Sequence, residues 1–125
     1  MRRTMAYTRE ETENVEVDYP IDQIWENIPN AISKLEWSIK TTDKDKHYME
    51  IKTKGAFMSY HSTIKLVLEQ INEKTTRLLI AGETPVTTIT AILEFGRTRQ
   101  RIELFIVTLA QTMEKQQNPT PNPKP

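Results

Sequence analysis

"GRTRQRIELFIVTLAQTMEK", residues Gly96–Lys115, is the stretch whose reading decides the fold. Ile102, Phe105, Ile106, Leu109 and Met113 recur at three- and four-residue spacing, so a helix beginning near Gly96 places them on one stripe. Such a stripe must dock on another element, and each side chain buried there contributes roughly 1.5–3 kcal/mol. Leu104 and Val107 fall outside the stripe and project sideways or outward. They point toward other helices, a second copy of the chain or solvent, which makes this helix a candidate homodimer surface.

Upstream, "NVEVDY" (14–19) alternates, with Val15, Val17 and Tyr19 on one face and Glu16 and Asp18 on the other. That is a half-buried strand, and Pro20 ends it because proline cannot donate to a ladder. In "IDQIWENI" (21–28), Ile21, Ile24, Trp25 and Ile28 keep helical spacing. Pro29 lacks an amide donor and suits the first turn of a new helix. The pattern therefore predicts two short helices, about 21–27 and 29–35, the second held by Ala31, Ile32 and Leu35.

Strands follow in succession. "EWSIKTT" (36–42) is led by Trp37 and Ile39, and "DKDK" turns the chain. "HYMEIKTK" (47–54) turns Met49 and Ile51 inward and stops at Gly55. "FMSYHSTIKLVLEQI" (57–71) sets Met58, Tyr60, Ser62, Ile64, Leu66 and Leu68 on one face. After the loop "NEKT", "TRLLIAGE" (76–83) turns Leu78 and Ile80 inward. Residues 86–95 carry strand and helix signals together, because Thr87, Thr88, Ile89 and Thr90 are β-branched; an extended connection is expected there.

Short turns between successive strands imply an antiparallel sheet, and flanking helices must cover its apolar face. The fold class is α+β: an antiparallel sheet packed on a long C-terminal helix, in the order β-α-α-β(4)-α. The expected boundaries are a flexible N-terminus over 1–11, one domain over 12–115 and a disordered proline-punctuated tail over 116–125.

Seventeen basic and seventeen acidic residues cancel, so bulk charge draws no polyanion and nucleic-acid binding is not expected. The chain has no cysteine, hence no disulfide and no thiolate metal site. No apolar run approaches the ~18 residues of a membrane span, so membrane insertion is not expected. "MRRTMAYTREETE" lacks the apolar stretch of a signal peptide, and the expected location is the cytoplasm.

"VDYPIDQIWENI" (17–28) places a strand, a proline and then the apolar-aromatic pair Ile24-Trp25 in order. This resembles the opening of the START-like, or helix-grip, superfamily, which contains pollen allergens, polyketide cyclases and lipid-transfer domains. "EFGRTRQRIELFIVTL" (94–109) is similar to its last helix, and the order of elements agrees over about 12–115. TATA-binding-like folds share a similar order and form the topological alternative. The resemblance implies a curved sheet gripping the long helix, with a hydrophobic pocket between them. The chain is shorter than typical ligand-carrying members, so that pocket is small or filled.

A pocket of this kind would be lined by Trp25, Trp37, Met49, Met58, Tyr60, Ile64, Leu66, Ile106 and Leu109, apolar walls with a few polar marks at Tyr60 and Ser62. A solid core of the same residues is the competing reading. Arg97, Arg99 and Arg101 cluster where the last helix begins. Cations there oppose the helix dipole, which points either to a bound anion or to a solvated rim balanced by Glu94 and Glu103. His47 and His61 lack grouped partner ligands, so no metal and no cofactor are expected. A cyclase- or hydrolase-like site would need Tyr60, His61 and Glu69 together, and strand parity separates the last two from the first. The functional expectation is a domain binding a small apolar ligand. The alternatives are an interaction protein with a filled core that homo-oligomerises, and an enzyme of the superfamily.

Overall fold

The computed structural model describes residues 7–54, 61–86 and 97–117. Strand β1 (Tyr7–Val17) leads into helix α1 (Ile21–Lys34). Strands β2 (Ser38–Asp43), β3 (Tyr48–Lys52), β4 (Thr63–Asn72) and β5 (Thr75–Val86) follow, and helix α2 (Arg97–Gln117) closes the fold. The five strands form one antiparallel sheet in the order β1-β5-β4-β3-β2. The predicted α+β architecture is therefore present, with the first strand paired to the last.

Alternation assigns the faces. Ile64, Leu66 and Leu68 of β4, Leu78 and Ile80 of β5, and Met49 and Ile51 of β3 are all buried on the inner face. Ile102, Phe105, Leu109 and Met113 of α2 and Ile24, Ile28, Ala31 and Ile32 of α1 close over them in one cluster. Their neighbours in sequence turn to the outer face, where opposite charges meet across strands. Arg77 of β5 reaches Glu16 of β1 at 3.0 Å and Glu69 of β4 at 3.5 Å. Directly opposed residues of unlike charge reinforce an antiparallel register. On β3 the Tyr48 hydroxyl donates to Glu50, which pushes its pKa up to about 12.

Three boundaries differ from the sequence reading. Strand β1 begins at Tyr7 and pairs with β5 along its full length, so residues 7–11 are paired backbone rather than a flexible N-terminus. The stretch YTREE has no apolar alternation to signal a strand, yet every β1 residue has a partner on β5. Helix α2 continues to Gln117, two residues past the expected end. The two predicted short helices are one helix with Pro29 inside it. Pro29 is exposed, while Ile24, Trp25, Ile28, Ala31 and Ile32 are buried on both sides of it. An interior proline costs about 3 kcal/mol. The four large ones, Ile24, Trp25, Ile28 and Ile32, at roughly 1.5–3 kcal/mol each outweigh that, so packing carries the helix through. The predicted extended connection over 86–95 lies outside the described residues except for Val86, which ends β5.

Helix α1 starts on Pro20, whose extended backbone presents its carbonyl to Ile24 N–H. It ends in a Schellman turn: Glu36 N–H donates to the Ser33 carbonyl and Trp37 N–H to that of Ile32. Glu36 takes the left-handed position at φ 62°. Trp37 is thereby folded back against the core beside Ile32, rather than leading β2 as expected.

Helix α2 lies close against the sheet at Gly82 of β5. A Cβ there would lie 3.0 Å from Thr98 Cγ2 and 3.1 Å from Ile102 Cδ1. Both side chains are fully buried and cannot move aside. Gly82→Val is expected to lower stability by about 2–3 kcal/mol through overpacking. Pro29→Ala should raise it by about 1–2 kcal/mol, less than the full helix penalty because alanine also frees the unfolded chain. Urea denaturation of the two variants measures both.

Candidate functional site: two hollows flanking the closing helix

Helix α2 does not touch the sheet evenly. Its inward stripe is packed, and room remains on either side of it.

On the β1 side lies a groove of about 380 Å³. Val15 and Val17 of β1, Leu78 of β5 and Tyr19 and Ile24 at the start of α1 form its floor and one end. Ile106, Val107 and Ala110 of α2 form the facing wall, Leu109 and Met113 the depth, and Gln111 and Glu114 the lip. Local sequence explains the gap. Toward the other end of β1, Glu13 accepts a 2.6 Å ion-pair hydrogen bond from Arg99 and draws helix and strand together. About three turns on, Ala110 faces Val15 and Val17 across the groove, and three small side chains do not span the space. The Glu13 carboxylate, with Glu11 and Glu103 nearby, holds the Arg99 guanidinium above its usual pKa range. Thr76 of β5 donates to the Tyr19 carbonyl at 2.8 Å and ties that residue to the sheet.

On the opposite side is a second hollow of about 290 Å³. Trp37 and Leu104 give it apolar walls, and Lys54, Arg97, Gln100 and Arg101 give it polar ones. Beneath Arg101 runs a chain of buried hydroxyls. The guanidinium donates to Ser62 Oγ at 2.7 Å, Ser62 bonds Thr84, and Thr84 bonds Thr98 at 2.8 Å. Ser62, Thr84 and Thr98 are at most 1% exposed, and among the described residues their hydroxyls are satisfied by one another and by Arg101. Thr53 adds a bond from Ser62 N–H at 2.7 Å.

The predicted ligand-lining residues divide among several places. Ile106 and Leu109 line the β1 groove. Met49, Ile64 and Leu66 are completely packed in the core. Trp25 is buried with its ring edge-on to His47 at 5.3 Å. Trp37 lines the second hollow. Met58 and Tyr60 lie outside the described residues. The structure thus brings together two of the nine predicted residues in the groove. It adds Val15, Val17 and Tyr19, which the sequence pattern placed on one strand face without a ligand role, and Ala110, which it did not mark.

The arginine cluster does not act as one group. A two-residue step turns a helix by about 200°, so Arg99 faces β1 and Arg97 and Arg101 face the other hollow. Leu104 and Val107 answer to the same geometry. They stand 47% and 51% exposed because each edges a different hollow.

Among the described residues no group of three His, Cys, Asp or Glu side chains could hold a metal. His47 closes the β2–β3 turn at φ 50°, with Nε2 3.8 Å from Asp22 Oδ1. Glu69 pairs with Arg77 on the outer face, away from the interior that a cyclase- or hydrolase-like site would require. No described helix is long and apolar enough to cross a membrane.

No protein-family model matches the sequence, and neither does any curated protein. Solved structures do resemble the fold. A point mutant of norcoclaurine synthase from Thalictrum flavum, in complex with a transition-state analogue, superposes with a TM-score of 0.70 at 8% identity, covering 93% of this chain and 100% of that one. A second structure of that enzyme, with dopamine and hydroxybenzaldehyde, gives 0.63 at 10% identity over 93% and 91%. The ZhuI aromatase/cyclase from Streptomyces sp. R1128 gives 0.62 at 11% identity over 87% and 96%. The expected helix-grip, START-like architecture is the fold of this chain.

His61 sits at the rim of the cationic side. Burial first, then Lys52, Lys40 and Arg101, hold its pKa below the ordinary value. The unfolded chain therefore binds the proton more readily, and this group's contribution to stability is lost as pH falls through about 6.5 toward the folded value. An NMR titration of His61 should give a midpoint below 6.5. Lys52→Gln should raise it only part of the way, because burial is the larger cause.

Proposed function

We propose that this domain binds a small, largely apolar molecule in the groove between β1 and α2. The observation that carries the reading is the groove itself: about 380 Å³ with aliphatic walls and polar groups confined to its lip. Small-molecule sites of roughly 300–1,000 Å³ have this composition, and the volume suits a ligand of one or two rings. The helix-grip neighbours support the class of ligand, since norcoclaurine synthase has been solved with dopamine and hydroxybenzaldehyde. Ile106 and Leu109 keep the ligand-lining role the sequence suggested, joined by Val15, Val17, Tyr19 and Ala110. A neutral aromatic molecule lying between the two valines and Ala110 would be gripped on both faces.

The test is fluorescence titration with N-phenylnaphthylamine, a neutral apolar probe. Saturable one-site binding is expected. Ala110→Trp, a change at an exposed helix position, should fill the groove and weaken binding by about tenfold or more, equivalent to about 1.4 kcal/mol. Arg97→Gln, on the far side of the helix, should leave it unaltered. Equal affinity in the Ala110→Trp protein would refute the assignment.

A further inference from the structure

We infer that the Arg99–Glu13 ion pair is the inner stop of the β1 groove. The ligand lies lengthwise along α2, with a hydrogen-bonding head at Gln111 and Glu114 and its apolar end toward the pair, and the pair sets the greatest length the groove accepts. This rests on the groove being the binding site, and adds to it the ligand's direction and its limit.

Two facing rows of side chains make the cleft between β1 and α2. On β1, Glu11, Glu13, Val15 and Val17 are half-buried, and the residues between them are exposed. On α2, positions 99, 103, 107, 110 and 114 recur at three- and four-residue spacing and form one row along the helix. The rows change character together. Arg99 bonds Glu13 across the cleft and has Glu103 and Glu11 near it, whereas Val107 and Ala110 stand across from Val15 and Val17 in the groove. The cleft thus has a charged half that is closed and an apolar half that is open.

Its dimensions follow from the same residues. Val15 to Tyr19 spans roughly 13 Å of extended chain, and Ile106 to Glu114 spans about 12 Å of helix, so the two walls end at matching levels. Glu13 is the next half-buried residue of β1 before Val15, roughly 7 Å farther along, and Arg99 holds it at 2.6 Å. The polar side chains at the lip, Gln111 and Glu114, lie on the last turns of α2, at the opposite end from the pair.

The two ends differ in what they offer a ligand. Arg99 and Glu13 already satisfy each other. An apolar chain forced between them would separate two charges and return no hydrogen bond. The Glu114 carboxylate forms no ion pair or hydrogen bond among the described residues, so it accepts from a ligand hydroxyl at no cost to the fold. Lys34 and Lys115 border the neighbouring hollow with it, and Lys34 donates to Thr112 instead. Loss of the pair leaves α2 in place, because Thr98 and Ile102 pack on Gly82 at this end of the helix. The space the pair filled then opens as an extension of the groove.

The test is a series of 4-alkylphenols, from ethyl to decyl, measured by displacement of N-phenylnaphthylamine. In the unaltered protein, affinity should rise about fourfold per methylene while the chain enters the groove, and then level off. The readout is the chain length at which it levels. In Glu13→Ala/Arg99→Ala, levelling should come about two or more methylenes later, so that the longest phenols bind about tenfold or more tighter than to the unaltered protein. The exchange Glu13→Arg/Arg99→Glu rebuilds the pair in reverse and should restore the original limit, which a general loosening of the fold would not do. Glu114→Leu should weaken the phenols relative to the matching 4-alkylanisoles, which lack the donor, without moving the limit. Circular dichroism checks that each variant is folded. An unchanged limit in Glu13→Ala/Arg99→Ala would overturn the stop while leaving the groove assignment standing. A limit moved by Glu114→Leu would overturn the direction. If no phenol displaces the probe, the groove assignment falls, and the stop falls with it.

Discussion

The closeness with which α2 lies on β5 governs the rest of the molecule. Gly82 has no side chain, and Thr98 and Ile102 occupy the space that one would take. From that point Ile102, Phe105, Leu109 and Met113 run along the inner face and exclude water from it. A sheet twists and a helix is nearly straight. Tight contact at one crossing therefore requires divergence elsewhere. The divergence falls at the edge strand, where α2 leaves β1 after the Arg99–Glu13 pair and leans on α1 instead, with Lys34 donating to Thr112 at 3.2 Å. The β1 groove is the space so created.

Much of this was legible because two periodicities rarely lie. Ile64, Leu66 and Leu68 share parity, as do Leu78 and Ile80, and all are buried. The stripe from Ile102 to Met113 was legible for the same reason. Patterns that depend on a partner were not. Tyr7–Thr12 has no apolar alternation, and only its pairing with β5 makes it a strand. Pro29 is a local signal for a break, and it was overruled by side chains packing against elements far away in sequence. Gly82 is different, since a lone glycine inside a strand pattern does point to close backbone approach; that signal was present and unused.

The candidate sites were less legible than the fold, and one cause is general. Apolar residues announce burial but not whether they fill a core or face a cavity. Met49, Ile64 and Leu66 fill, while Ile106 and Leu109 do both. The difference is made by what stands opposite, such as an alanine at 110. The arginines failed for a simpler reason. Three basic residues at every second position look like a cluster on paper, but helical geometry sends the middle one to the other side. The helical step alone separates Arg99 from Arg97 and Arg101.

The same step explains why balanced total charge was a poor guide to partners. Glu11, Glu13 and Glu103 gather with Arg99 on the β1 side of the helix, while Lys40, Lys52 and Arg101 act on His61 on the other. The chain is neutral as a sum and polarised as an object. A core already filled by aliphatic side chains leaves its hollows to the two flanks of α2, and the flanks differ in kind. One offers carbon surfaces behind a polar lip, and the other sets an indole among cations. The helix that closes the fold also keeps these environments apart, because side chains half a turn from one another cannot serve the same hollow.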